Sequence, residues 1–321
     1  MKFDFEPLDL KKVKTYPLAN RKNKVSQDDM GRIYKTGSSF AEFIRGLPDI
    51  LAAKDFNTII EWISNAFLSG KPVVMFMGAH VIKVGLSPVV IDLLEHGIVN
   101  AIATNGAGSI HDVELAMIGQ TSEDVSEGIK KGNFGLVKET GEFLNRAGKR
   151  SRQEKCGLGE SIGRQLLDEN PPFIKNSIFA TCSRLGIPIT VHLTIGGDIN
   201  HHHPTADGED MGWGSFYDFR FLAGIIGKCC RGSVILLVGS AVNLPVVMEK
   251  AIAAARNLGH PVEGFLGVSM DFIHPYRTRL NPVQRAQDLN GKGISLVGHH
   301  EIMFPLLAAA VKEKIYEKRS T

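Results

Sequence analysis

Apolar positions along this chain follow two alternating rhythms. Continuous runs of β-branched and other apolar residues fall at 72–77, 99–104, 187–193, 234–238, 264–268 and 294–297. Runs of this length without a polar alternate position predict strands buried on both faces, as in a parallel sheet. Between them the apolar residues recur at helical spacing, at 40–68 with a break around 46–48, at 245–258 and at 302–314. The stretch from about 113 to 175 carries helical patterns and no convincing strand. It predicts a helical insertion over one sheet edge or at a subunit contact. The whole pattern predicts an α/β protein with a doubly wound, mostly parallel sheet and helices on both faces. Residues 40–321 read as a single domain, and residues 1–39, largely polar, as an N-terminal arm docked on the body or on a neighbour.

The turns after the strands carry the chemistry. Two apolar runs pass directly into glycine and small polar residues: GAHVIKVG from Gly78 to Gly85, and TNGAG from Thr104 to Gly108. Open α/β sheets bind ligands at the carboxyl ends of their strands, where glycine lets backbone N–H groups approach a phosphate closely. The two turns therefore predict a nucleotide cofactor site, although the spacing is not the GxGxxG fingerprint. Three later turns, GSAVNLP at 239–245, SMDFIHP at 269–275 and GHHE at 298–301, extend the same polar rim.

Composition narrows the class without changing it. The 321 residues are 43% hydrophobic and 22% charged with a net charge of +3, which fits a globular enzyme and gives no footprint for nucleic acid. No apolar run reaches membrane-spanning length, and MKFDFEPLDL has acidic residues where a signal peptide needs an apolar core, so a cytoplasmic location is expected. The charged segment NRAGKRSRQEK reads as a solvated helix surface. Cys156, Cys182, Cys229 and Cys230 lack zinc-site spacing and read as reduced thiols.

Histidines and acids supply the remaining candidates. His80 and His111 follow strand ends, which favours a site role for both. The loop IGGDINHHHPTADGEDMGWG places His201, His202 and His203 between Asp198 and Asp207. His201 and His203 can converge only if that segment is extended. A metal-assisted hydrolase built on this loop would need further ligands such as His111, Asp112, His299 or His300, and no HExxH spacing supports it, so no metal is expected.

The order GAHVIKVGLSP, ATNGAGSIHD, LLVGSAVNLP and SLVGHHEIMFPLL resembles the deoxyhypusine synthase family, in register from about residue 40 to 314. The resemblance implies a Rossmann-like fold, NAD as cofactor, and a homotetramer with active sites between paired subunits. It also implies transfer of an aminoalkyl group, which the family takes from spermidine. It sets Thr104, Asn105, Gly106, Ala107 and Gly108 against the cofactor, with Gly78, His80, Gly239 and Ser240 in two further cofactor turns, and matches Asp112 to a family acid. The departures fall on catalytic positions. An ungapped count puts Ala286 where the family has its imine-forming lysine, and Leu244 and Pro245 where it has a histidine pair.

These features are similar to those of a divergent, deoxyhypusine synthase-like branch: an NAD-dependent transferase of aminoalkyl groups between small amines of polyamine type, without authentic hypusine synthesis. In this reading Lys83, His111, Asp112 and His203 are the catalytic candidates, and Asp198, Asp207 and Glu209 line a pocket for a cationic substrate. The competing readings are the metal-assisted hydrolase and a non-catalytic NAD-binding scaffold.

Overall fold

The structure, a computed structural model, describes residues 5–320. Six strands form one sheet: β1 Val73–Met77, β2 Ala101–Asn105, β3 Ile189–His192, β4 Val234–Val238, β5 Leu266–Asp271 and β6 Lys292–Val297. Their order is β3-β2-β1-β4-β5-β6, and every neighbouring pair is parallel. The sequence pattern predicts a mostly parallel sheet; the described sheet is wholly so. The apolar runs had this form because both faces are covered. Met75, Ile102, Leu236 and Val268 point into one buried cluster, while Val74, Phe76, Ala103, Ile235 and Leu237 point into the other.

Fourteen α-helices surround the sheet among the described residues: α1 Phe40–Arg45, α2 Leu51–Leu68, α3 Ala79–Lys83, α4 Ser87–Glu95, α5 Gly106–Ile118, α6 Val125–Lys131, α7 Lys138–Glu154, α8 Leu158–Glu169, α9 Ile178–Leu185, α10 Gly208–Ile226, α11 Asn243–Asn257, α12 Tyr276–Thr278, α13 Arg285–Asp288 and α14 His300–Ser320. The first cluster takes in Ile59 and Ile63 of α2, Leu93 of α4, Ile110 of α5, and Phe304 and Leu307 of α14. The second takes in Leu222 of α10, Met248 of α11 and Ala286 of α13. Each such large side chain, fully buried, stabilises the fold by roughly 1.5–3 kcal/mol.

Boundaries moved where the backbone has a competing task. β5 begins at Leu266, not 264, because Gly264 turns with φ +69° and gives its N–H to Leu289. The helical stretch expected from 113 begins inside α5, so the extra helices of the β2–β3 crossover are α6 to α9. Of these, α8 packs on edge strand β3, and α7 and α10 pack against one another. Residues 5–39 hold three short 3₁₀ turns and meet the body through Arg32 N–H to Gly46 and Asp49 N–H to Asp29. The first four residues of the expected arm lie outside the described residues. All four cysteines are free thiols. No described helix is long and apolar enough to cross a membrane.

Candidate active site at the carboxyl edge of the sheet

The strand order reverses between β1 and β4, and the turns that leave these two strands face each other there. Gly78 donates its N–H to Val238 O at 2.9 Å, and a Cβ on Gly78 would lie 1.9 Å from Gly239 O. Gly239 has φ +65°, and a Cβ on it would lie 3.3 Å from the ring of His300. Glycine is required here so that two backbones and a buried imidazole can meet. Ser240, buried, follows directly. His80, Phe272 and His300 form an aromatic group above this point, with His80 5.3 Å from His300 and 5.6 Å from Phe272. His300 is fully buried; its Nε2 bonds Met270 O at 3.1 Å. Burial, the His300 ring and Lys83 lower the His80 pKa against the opposing pull of Glu301 and Asp271. Two helices start beside the switch point with no side-chain cap, α3 at Gly78 and α11 at Val242. Their first N–H groups are the partially positive ends of the segments.

The β2–α5 turn is built differently. Asn105 caps α5 by accepting from Gly108 N–H at 3.0 Å, and Thr104 donates its hydroxyl to Met77 O at 2.8 Å. Gly108 leaves room for the Thr104 hydroxyl, and Gly106 leaves room for the Asp198 carboxylate, which would be 2.4 Å from a Cβ there. Contacts within the chain thus account for both glycines, and the chain's own carboxylate already sits over the start of α5.

One turn into α5 a cleft of about 160 Å³ opens, lined by Lys83, Ala107, His111, Glu114, Glu123 and Asp198 among others. Lys83 comes from the end of α3, His111 and Glu114 from α5, Glu123 from the segment before α6, and Asp198 from the histidine loop. Burial and the Lys83 charge hold the His111 imidazole down to about 4, so at neutral pH it is uncharged. Burial raises Asp198 against the pull of Thr194 N–H and His201. The cleft therefore offers one lysine, one neutral imidazole and three carboxyl groups.

The other candidates from the sequence lie elsewhere. Asp112 is fully buried at the start of α9, whose N-cap is Ser177, and accepts from Ser177 Oγ at 2.5 Å and Ile178 N–H at 2.7 Å. Asp207 caps α10 through Glu209 and Asp210 N–H, and Glu209 pairs with Arg152 at 2.7 Å. His203 is packed on Gly141 and bonds Thr205 at 2.8 Å. The histidine loop is a series of turns, not an extended strand, so its rings diverge: His201 Nδ1 accepts from Gly196 N–H, and His202 bonds Phe134 O. Among the described residues no three His, Cys, Asp or Glu side chains are grouped to hold a metal. Leu244, Pro245 and Ala286 are all buried, with Ala286 against Gly267 inside the second core cluster. Lys292 stands at the amino end of β6, away from the carboxyl edge. Glu114 and Glu123 were not singled out from the sequence; Glu114 falls three residues after His111 on the same helix, which is the spacing of a shared face.

No protein-family model and no curated protein sequence matches the chain. Solved structures do. The ArgZ arginine dihydrolase of the ornithine–ammonia cycle in cyanobacteria is similar over 81% of this chain, at 16% identity and TM-score 0.52. AgrE in complex with ornithine and NAD⁺ is similar over 83%, at 15% identity and TM-score 0.53. This chain spans about a third of the length of each, 32% and 34%. A candidate deoxyhypusine synthase from Entamoeba histolytica is similar over 87% of this chain and 95% of its own, at 14% identity and TM-score 0.51. These likenesses are of fold.

Proposed function

We propose that the chain is an NAD-dependent enzyme acting on a small amine, with the dinucleotide across the β1–β4 switch point and the amine in the adjoining cleft. The observation that carries this reading is the meeting of Lys83, His111 and Asp198, drawn from three separate segments, in one cleft beside the switch point. The residues present fit a dinucleotide. The uncapped start of α11 gives the Asn243 and Leu244 N–H groups as donors for a pyrophosphate, whereas α5 is capped by Asn105 and covered by Asp198. AgrE, a third of whose length has a like fold, forms a ternary complex with ornithine and NAD⁺, which is in keeping with this reading.

Bound NAD would supply a hydride acceptor. The chain's own residues do the rest. Asp198 and Glu123 hold an ammonium group by charge, and His111, neutral, takes the proton that the amine must lose before oxidation at its neighbouring carbon. Lys83 adds a cation at the same cleft. Transfer of an aminoalkyl group to a second amine is the reaction class this reading favours. Authentic hypusine synthesis is not part of it, because Ala286 has no amine and Leu244 and Pro245 take no proton. Exposed apolar side chains on the arm, Leu8, Leu10 and Ile33 among them, support assembly of several subunits, and the reading includes a homotetramer.

Calorimetric titration tests the binding half. NAD should bind the purified protein, and putrescine or ornithine should bind more tightly once NAD is present. Absence of NAD binding overturns the reading; NAD binding with no amine binding leaves only the scaffold.

A further inference from the structure

His111 is held by a chain of hydrogen bonds that fixes which of its nitrogens is the base. Its Nδ1 lies 2.7 Å from Thr121 Oγ1, and the Thr121 hydroxyl lies 2.5 Å from Glu114 Oε2, to which it donates. Glu114 Oε1 accepts from Thr140 Oγ1 at 3.2 Å, so the carboxylate is tied to α7 as well. A hydroxyl has one hydrogen, and a carboxylate only accepts. With its hydrogen spent on Glu114, Thr121 can meet Nδ1 only as an acceptor, so Nδ1 carries the imidazole proton. Nε2 then holds the lone pair. It has no hydrogen-bond partner among the described residues and is not among their buried orphaned atoms, so it opens to the cleft that His111 shares with Lys83.

We propose that Thr121 and Glu114 are positioning residues which lock His111 in the Nδ1–H tautomer and present Nε2 as the proton acceptor for an amine in the cleft. When Nε2 takes the substrate's proton, the imidazolium keeps its Nδ1–H on Thr121, and Thr121 keeps its own hydrogen on Glu114. The positive charge formed on the ring then faces a carboxylate through one hydroxyl, with Nδ1 4.0 Å from Glu114 Oε2. The charged groups lining the cleft with His111 are Lys83 from α3, Glu114 from its own helix, Glu123 from the segment before α6, and Asp198 from the histidine loop. Burial and Lys83 both oppose protonation of the ring, and Glu114 is the carboxyl group tied to it through Thr121.

The inference deepens the proposed reading of this cleft and rests on it for the identity of the proton donor. The tautomer itself is read with neither NAD nor amine present, so a failure here is distinct from a failure of NAD binding. The experiment is long-range ¹H–¹⁵N imidazole spectroscopy on the full chain, with His111→Gln to assign the signal. The expected result is a pyrrole-type Nδ1 and a pyridine-type Nε2 at neutral pH. Thr121→Val should move His111 to a mixture or to the Nε2–H form, and Thr121→Ser should restore the wild-type pattern. Glu114→Gln should lower the His111 titration midpoint, because it removes the carboxylate linked to the ring through Thr121. If Thr121→Val fails to fold, the Ser variant and Glu114→Gln still decide the matter. An Nε2–H tautomer in the wild type, or a Glu114→Gln midpoint equal to the wild type, overturns the proposal.

Discussion

Replacing Gly78 by alanine tests the geometry on which the switch point depends. The Cβ would stand 1.9 Å from Gly239 O and 2.8 Å from Gly239 C. Both are backbone atoms, so no rotamer change relieves the contact. The two turns must part by roughly 1 Å, as close packing leaves no slack. That movement strains the Gly78 N–H to Val238 O bond of 2.9 Å, worth about 1 kcal/mol. Overpacking adds about 1–3 kcal/mol. The sum, about 2–4 kcal/mol, corresponds to a fall in melting temperature of roughly 3–6 °C for a chain of 321 residues. Gly85→Ala is the control: its φ is +80° but nothing lies within 4 Å, so it carries only the left-handed strain of about 1–2 kcal/mol. Thermal unfolding followed by circular dichroism, with NAD titrated into both variants, reads the difference. Gly78→Ala should be the less stable of the two and should lose NAD affinity, while Gly85→Ala keeps it. A Gly78→Ala protein as stable as wild type would refute the close approach of the two turns.

Other expectations follow from the same contacts. Asp112→Ala leaves Ile178 N–H and Ser177 Oγ at the start of α9 without their buried acceptor; chemical denaturation should show a loss of about 2–4 kcal/mol with NAD binding per folded molecule unchanged. Asp218, buried where it accepts from Gly159 and Val191 N–H, has its pKa pushed up to about 8 by that burial. The unfolded chain ionises it near 4 while the folded chain keeps the proton, so this group makes stability fall as pH rises from about 4 to about 8. Asp218→Asn keeps an acceptor for both N–H groups and should gain stability relative to wild type across that window in melting curves taken at stepped pH; a constant difference would contradict the assignment. Lys83→Met should leave the melting temperature unchanged, since Lys83 is exposed, and should alter amine turnover; equal turnover would remove Lys83 from the site.

The sheet was legible because a parallel strand buried on both faces leaves a continuous apolar run, and all six runs became strands. Strand order and the location of the switch point were not legible, since they depend on which runs pair. The glycine turns show the limit most clearly. Gly78, Gly106 and Gly108 read as room for a phosphate, yet in the fold that room is taken by Gly239 O, Asp198 and Thr104. A glycine in sequence says that something comes close, not what comes close. The acids show the same limit: Asp112 braces the start of α9 at Ser177 and Asp207 caps α10 at Glu209, roles invisible without the fold. Glu123 reaches the cleft through a loop with no periodic signal, and Glu114 becomes informative only once His111 is known to face it.

The most direct test of the account is mass spectrometry of amines after incubation of the protein with NAD and a mixture of putrescine, spermidine and agmatine. The account predicts an NAD-dependent change in at least one amine, reduced about 100-fold or more in His111→Gln. Amines unchanged in the wild type, under conditions where NAD is bound, would contradict it.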